Sequence, residues 1–286
     1  MQFIGGAKVF LDLSKEYVLK DGIYDFMLSL EKLKNGNTEL EIERDYHWDY
    51  QLDPSITPTI IHEWKYLDQL MSQHVLQRAN SVLSIGGGGT SRTAEYISSN
   101  TKLFAIVNTG EWDLKNAQLP DSKITSYLIR AVGEDLPILN SQFDAIEIPA
   151  TLDHVINAKQ VIEESFRVLN SSGMIGITLG NSDSWYRKVI QFLRIPIASN
   201  HDHHHNFHFT VKDVELLLSN AGFIEIRTIG SGYLKLPKFF ERQLKTTFLL
   251  SLHRFLSNVV MRRVLGNRNG GMFLTIGTKP TDSTNG

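Results

Sequence analysis

Ser81-Val82-Leu83-Ser84-Ile85-Gly86-Gly87-Gly88-Gly89-Thr90 is the stretch that decides the fold of this chain. The run ending at Ile85 is short, mostly aliphatic and closed by glycine, which reads as a buried strand. Four glycines directly after a strand let the backbone turn sharply and approach a ligand without Cβ interference. A helix beginning at Thr90 would offer its free N–H groups to the same ligand. Strand, glycine turn and helix in that order suit a nucleotide or nucleoside. The dinucleotide pattern G-x-G-x-x-G is not met, because the third glycine is missing at that spacing. A purely structural tight turn is the competing reading of the loop taken alone.

Downstream, β-rich runs over 103–107, 124–129, 143–148 and 174–179 alternate with helical stretches over 90–99, 112–117 and 157–169. Such alternation specifies a parallel sheet covered on both faces. A helix over 210–220, closed by Ala221-Gly222-Phe223, precedes strands over 224–229 and 272–278, which suit an antiparallel pair at the sheet edge. The expected architecture is α/β and Rossmann-like: a mainly parallel seven-stranded sheet with helices on both faces and an antiparallel last strand. Upstream, Asp53-Pro54 opens a segment in which Ile61, Trp64, Leu67, Leu70, Met71 and Val75 recur at helical spacing. Residues 1–78 are therefore expected to form an N-terminal cap and lead-in helix. Residues 79–286 form the main domain, with a lid or insertion at 181–209 and C-terminal helices over 233–268.

With 286 residues, 42% of them hydrophobic, the chain can build one substantial core. A net charge of −2 creates no global basic field, so nucleic acid is not an expected partner. The absence of cysteine removes disulfides, thiolate metal sites and cysteine nucleophiles together. No segment approaches the roughly 18 consecutive apolar residues of a membrane span, and the start lacks a secretory pattern. A cytoplasmic protein is expected; oligomeric state is not legible.

The order of the pieces completes a resemblance. Val82-Leu83-Ser84-Ile85-Gly86-Gly87-Gly88 resembles the first motif of class I S-adenosylmethionine (SAM)-dependent methyltransferases. Gly133-Glu134-Asp135-Leu136-Pro137, then Phe143-Asp144-Ala145-Ile146, resembles that family's third-strand loop and fourth strand, and Asp153-His154-Val155 the turn that follows. Ser172-Gly173 after Glu164–Leu169 resembles its glycine turn into strand five. The likeness spans about residues 80–230. It implies S-adenosyl-L-methionine as cofactor, held by Ser84, Ile85, Gly86, Gly87, Gly88, Gly89, Asn108, Thr109, Val132, Gly133, Glu134 and Asp135. The implied activity is methyl transfer to a small-molecule or amphiphilic acceptor.

At three positions the chain departs from the family. Ser84 stands where an acid faces the methionine end, Asn108 where an acid grips both ribose hydroxyls, and Val132 where an aspartate meets the adenine amine. A hydrogen bond to a charged group is worth roughly 1.5–3 kcal/mol, so each uncompensated loss weakens binding about tenfold or more. Asn108 can still bond a ribose hydroxyl, and Glu134 or Asp135 can reach the adenine amine in a shifted register. Three readings follow: a methyltransferase with an altered cofactor grip, a repurposed fold with another ligand or reaction, and a non-catalytic scaffold.

Methyl transfer needs alignment and a dry site, with a base where the acceptor must lose a proton. His154 is the base candidate at the carboxyl edge of strand four, with Glu147 and Asp153 nearby; a histidine packing the next helix, and acids acting as caps, are the plainer readings. Residues 201–208 hold five histidines and Asp202. Consecutive loop residues seldom converge on a metal, so no metal is expected; a substrate lid using His204 and His208 is the better functional reading, and an exposed polar connection ahead of the helix at Thr210 is the plainer one. Tyr17 and Trp48, with Tyr24, Tyr46 and Tyr50, are candidates to cap the cleft, and Trp185 lies in the insertion expected to wall the acceptor pocket. The stretch 233–268 is basic and amphipathic. Either it docks on an anionic membrane surface or takes a lipid or phosphorylated substrate, or its helices pack on the sheet with basic faces in water.

Overall fold

Residues 10–27, 57–88, 93–194, 208–235, 240 and 246–281 are described by a computed structural model of the chain. Among them, nine strands form one sheet in the order β1-β2-β5-β4-β3-β6-β7-β9-β8. Strands β3 (Ser81–Ile85), β4 (Leu103–Asn108), β5 (Thr125–Arg130), β6 (Phe143–Pro149) and β7 (Leu169–Gly180) are all parallel neighbours. β9 (Met272–Thr278) runs antiparallel between β7 and β8 (Ile224–Ser231). Phe104, Ala105, Ile106 and Val107 are consecutive and all buried, as a strand covered on both faces requires. β3 has β4 on one side and β6 on the other. The chain order therefore reverses at β3, and the glycine loop leaves its carboxyl end at that switch point, where open α/β sheets hold ligands.

The seven expected strands are β3 to β9. The sheet is wider than expected because a hairpin, β1 (Val18–Lys20) and β2 (Ile23–Asp25), lays β2 parallel against β5. Its turn residues Asp21 and Gly22 both have positive φ (52° and 82°), the backbone that matches the right-handed twist of a two-residue hairpin. Part of the expected N-terminal cap thus extends the sheet itself.

One face of the sheet buries Leu83, Ile85, Ile146 and Ile148 with residues of α3 (Ala158–Val168) and α5 (Val211–Asn220). The opposite face buries Val82, Phe104 and Ile106 under α1 (Pro58–Met71), which continues as a π-turn over Ser72–Leu76. α1 lies close because Gly176 has no side chain; a Cβ there would stand 2.2 Å from Met71 Sδ. Local signals fix the helix starts. Asn157 caps α3, and Thr210 with Asp213 forms a reciprocal capping box on α5.

Two helical expectations change. Of the helix expected over 90–99, the described residues show one 3-10 turn, Thr93–Tyr96. The stretch 112–117 forms the short α2 (Glu111–Lys115). Over 233–268 the described residues place Phe240 in a helix and form a run of α6 (Thr247–Phe255), a π-turn (Leu256–Met261) and α7 (Arg262–Leu265); residues 236–239 and 241–245 lie outside the described residues. The insertion after β7 carries α4 (Trp185–Phe192). Among the described residues no helix is long and apolar enough to cross a membrane.

Candidate functional site

Gly86 turns the chain off β3 with φ +77°, a left-handed conformation that costs any other residue about 1–2 kcal/mol. Its N–H donates to Val107 O at 2.7 Å. A Cβ at Gly86 would lie 2.2 Å from both Oγ1 and Cγ2 of Thr151, and one at Gly88 would lie 2.7 Å from Asp113 Cβ. Glycine is thus required at Gly86 by packing as well as by dihedral angle, and at Gly88 by packing. Gly89 lies outside the described residues.

Asn108, at the end of β4, is the side chain that shapes this loop. Its Nδ2 donates to Gly86 O at 3.2 Å and Gly87 O at 3.0 Å, and its Oδ1 accepts from Gly110 N at 2.8 Å. The amide orientation follows from these partners, since the flipped form would set an oxygen against two carbonyls. The side chain expected to grip a ribose is instead spent largely on the loop. Thr109 contributes its carbonyl to Arg130 Nε at 2.9 Å, and Arg130 pairs with Asp25 at 2.9 Å. The β1–β2 hairpin is thereby tied to the same edge.

Neither acid considered as a substitute adenine partner is at liberty. Glu134 Oε1 accepts from the N–H groups of Ile156 and Asn157 at 2.9 and 3.1 Å, bracing the approach to α3, and Asp135 pairs with Lys15. Val132 is buried, and Gly133 fits against Ile85 and Val161, where a Cβ would meet side chains at 3.3 Å. Ser84 is buried, and its hydroxyl has no hydrogen-bond partner. It stands beside Glu147 of β6 in register, and Glu147 is fully buried. A buried hydroxyl without a partner is uncommon in protein interiors, so Ser84 has donor capacity left for a ligand or solvent.

The turn after β6 opens on the same edge. Ala150 holds φ +44°, its N–H donates to Thr178 O at 2.9 Å, and Thr151 Oγ1 donates to Pro149 O at 2.7 Å. A non-glycine residue held left-handed stores strain of order 1 kcal/mol and persists only where its surroundings impose it. Here that strain seats Thr151 against Gly86. His154 follows, 28% exposed, with Nε2 3.9 Å from Asp153 Oδ1. That distance is too long for a hydrogen bond but close enough for charge to act. The structure thus brings His154, Asp153 and the glycine loop to one edge of the sheet.

A concavity lies on the α1 side of the sheet. It is a small open pocket of about 40 Å³ lined by residues including Glu63, Tyr186, Lys235, His253 and Met272. Glu63 is 4% exposed. Its Oε2 accepts from Ser231 Oγ and from Asn258 Nδ2 at 2.7 Å, and its Oε1 has no partner. Sequence reasoning missed Glu63, although a signal was present: it stands four residues before Leu67 on the buried stripe of α1. It missed Thr151 as well, where no local pattern betrays a contact with Gly86.

The remaining candidates fall elsewhere. The ring of Tyr17 stacks on Phe26 at 5.3 Å and lies 5.9 Å from Tyr24, which places it in the hairpin's aromatic cluster. Trp185 Nε1 donates to Tyr233 O at 2.7 Å, fixing the start of α4. His208 is exposed ahead of the α5 cap. Trp48, Tyr46, Tyr50, His204 and the rest of the histidine run up to residue 207 lie outside the described residues. Among the described residues no cluster of His, Asp or Glu is placed to hold a metal ion.

Comparison with known proteins agrees with this geometry. Residues 83–177 match the family described as a methyltransferase domain. An uncharacterized protein of Methanocaldococcus jannaschii is 30% identical over 118 residues, which is 41% of this chain and spans about half (56%) of that protein. A SAM-dependent methyltransferase of Thermotoga maritima superposes with a TM-score of 0.53 at 16% identity, covering 77% of this chain and 91% of its own. The cyclase SpnF superposes with a TM-score of 0.50 at 16% identity, covering 76% and 81%. At these identities the likeness to solved structures is one of fold.

Proposed function

From a chain that carries the class I SAM-dependent methyltransferase fold, with a methyltransferase-domain segment at residues 83–177, we propose methyl transfer to a small or amphiphilic acceptor at the carboxyl edge of the sheet. The observation that carries this reading is the glycine turn at the switch point, left-handed at Gly86 and packed against Thr151 and Asn108.

The residues fit a nucleoside cofactor through backbone and apolar surface. In this reading the cofactor lies against the turn at Gly86–Gly88, Val132 gives apolar contact to a ring, and Asn108 Oδ1 keeps one lone pair for a ribose hydroxyl. When bound, SAM supplies an electrophilic methyl group on a sulfonium. The protein's part is then to align the acceptor, exclude water and take a proton. In this reading His154 takes that proton at its imidazole, with the Asp153 carboxylate 3.9 Å from Nε2. The pocket beside Glu63 is the acceptor's entry in this reading, and the unpartnered Oε1 favours an acceptor bearing an N–H or O–H donor.

Titration calorimetry with SAM and S-adenosylhomocysteine tests the reading, followed by transfer of a radiolabelled methyl group. Absence of heat with either ligand at millimolar concentration rules it out. A second reading, a fold turned to a non-methylating reaction, is favoured by the diversion of Asn108 to the loop and by a cyclase sharing the fold. Cofactor binding without transfer to any acceptor class supports it.

A further inference from the structure

The C-terminal helical run is amphipathic the wrong way round. Its inward residues are polar: His253, Ser257 and Asn258 are 6%, 0% and 1% exposed. Its outward residues are apolar: Phe248, Leu252, Phe255, Leu256, Val260 and Val264 are 73%, 43%, 53%, 40%, 42% and 79% exposed. A helix on an ordinary protein surface does the reverse.

The inversion is fixed by hydrogen bonds. Asn258 donates to Glu63 at 2.7 Å and accepts from Gly232 N at 2.9 Å, Ser257 Oγ accepts from Leu234 N at 3.0 Å, and His253 Nε2 lies 3.1 Å from Leu234 O. Rolling the run to bury its phenylalanines would strand these groups and the buried carboxylate of Glu63, which is costlier than leaving apolar surface wet. The apolar face is therefore held outward over the whole run from Thr247 to Leu265, roughly 28 Å at 1.5 Å per residue.

Charge selects what covers it. From Arg242 to Thr281 the sequence contains no Asp or Glu, while Arg254, Arg262 and Arg263 lie within the run. A second copy of this chain would bring the same arginines and no acid to the contact. An anionic bilayer offers both an apolar layer for the phenylalanines and phosphates for the arginines.

We propose that residues 247–265 are a membrane-surface helix that seats the protein on an anionic lipid bilayer with its apolar face in the headgroup–acyl boundary. The docking requires neither cofactor nor catalysis, so it stands or falls apart from methyl transfer.

Sedimentation of the full chain with vesicles of phosphatidylcholine alone, or with 30 mol% phosphatidylglycerol (about the anionic content that makes the electrostatic arm visible), tests it. The wild type pellets with the anionic vesicles and is partly released by added salt. The double variant Phe248→Ser/Phe255→Ser melts within about 2 °C of the wild type, because both rings are already more than half exposed, and partitions at least about tenfold more weakly. Arg262→Gln/Arg263→Gln loses the preference for anionic lipid and its salt dependence. Three results overturn the proposal: recovery in the supernatant with both compositions, equal pelleting of wild type and serine variant, or a wild-type dimer that the serine substitutions dissociate. Equal pelleting with neutral and anionic vesicles overturns the anionic assignment.

Discussion

Asn108→Asp restores the acid that the methyltransferase resemblance leads one to expect at the end of β4, and the structure predicts that it does harm. In the wild type, Nδ2 donates to the carbonyl oxygens of Gly86 and Gly87 at 3.2 and 3.0 Å. A carboxylate in the same rotamer keeps the bond from Gly110 N but sets an oxygen against both carbonyls. Two hydrogen bonds of about 1 kcal/mol each are lost, and two acceptors face a charge in a half-buried site, for a total of about 2–4 kcal/mol. Rotation of the side chain relieves the repulsion only by giving up Gly110. For a chain of this size that loss lowers the melting temperature by about 5–12 °C. Because the loop carbonyls are pushed apart where a nucleoside would lie, SAM affinity is expected to fall about tenfold or more, equivalent to 1.4 kcal/mol. Thermal melts and calorimetric titration on the same preparation measure both. A variant that melts within about 1 °C of wild type and binds SAM more tightly refutes the reasoning, since Asn108 would then be a diminished ribose ligand and not the clasp of the loop.

Gly86→Ala combines left-handed strain with overlap on Thr151, about 2–5 kcal/mol together; adding Thr151→Gly should recover the overlap share, and no recovery in chemical denaturation counts against the contact. In the C-terminal run the usual rule inverts: Asn258→Ala strands Gly232 N–H and part of Glu63 and should cost about 2–4 kcal/mol, whereas Phe255→Ser should cost within about 0.5 kcal/mol. Equal costs in urea melts would show that the run is not held as described. Burial, aided by the Arg254 guanidinium at His62 and by that of Arg227 at His74, depresses both imidazole pKa values below 6.5. The unfolded chain then binds more protons below its own pKa near 6.5, so stability is complete above that pH and is lost as pH falls toward the depressed folded values. Melting temperature should drop between pH 7 and pH 5, and less steeply in His62→Gln/His74→Gln; identical slopes would remove the two histidines as the cause.

Much of the central domain was legible because its information is local. The run into Gly86–Gly89 announced a strand and a turn, the alternation that followed announced a parallel sheet, and Thr210 and Asn157 announced helix starts, each through neighbours a few residues away. The hairpin escaped notice because its three-residue strands are too short for a period to show, and only β5 supplies the partner that makes β2 a strand.

What the sequence alone determined is the order of elements around β3 and the place of a glycine turn, since backbone freedom and side-chain period are properties of adjacent residues. What tertiary structure decided is how polar atoms are shared across distance. Asn108 clasps Gly86 and Gly87, Glu134 braces the backbone before α3, and Asn258 reaches Glu63 195 residues away. A buried hydrogen-bonding group must find its partner wherever the fold brings one, and that partner, not the residue type, fixes what the side chain does and which face of a helix is left to the outside.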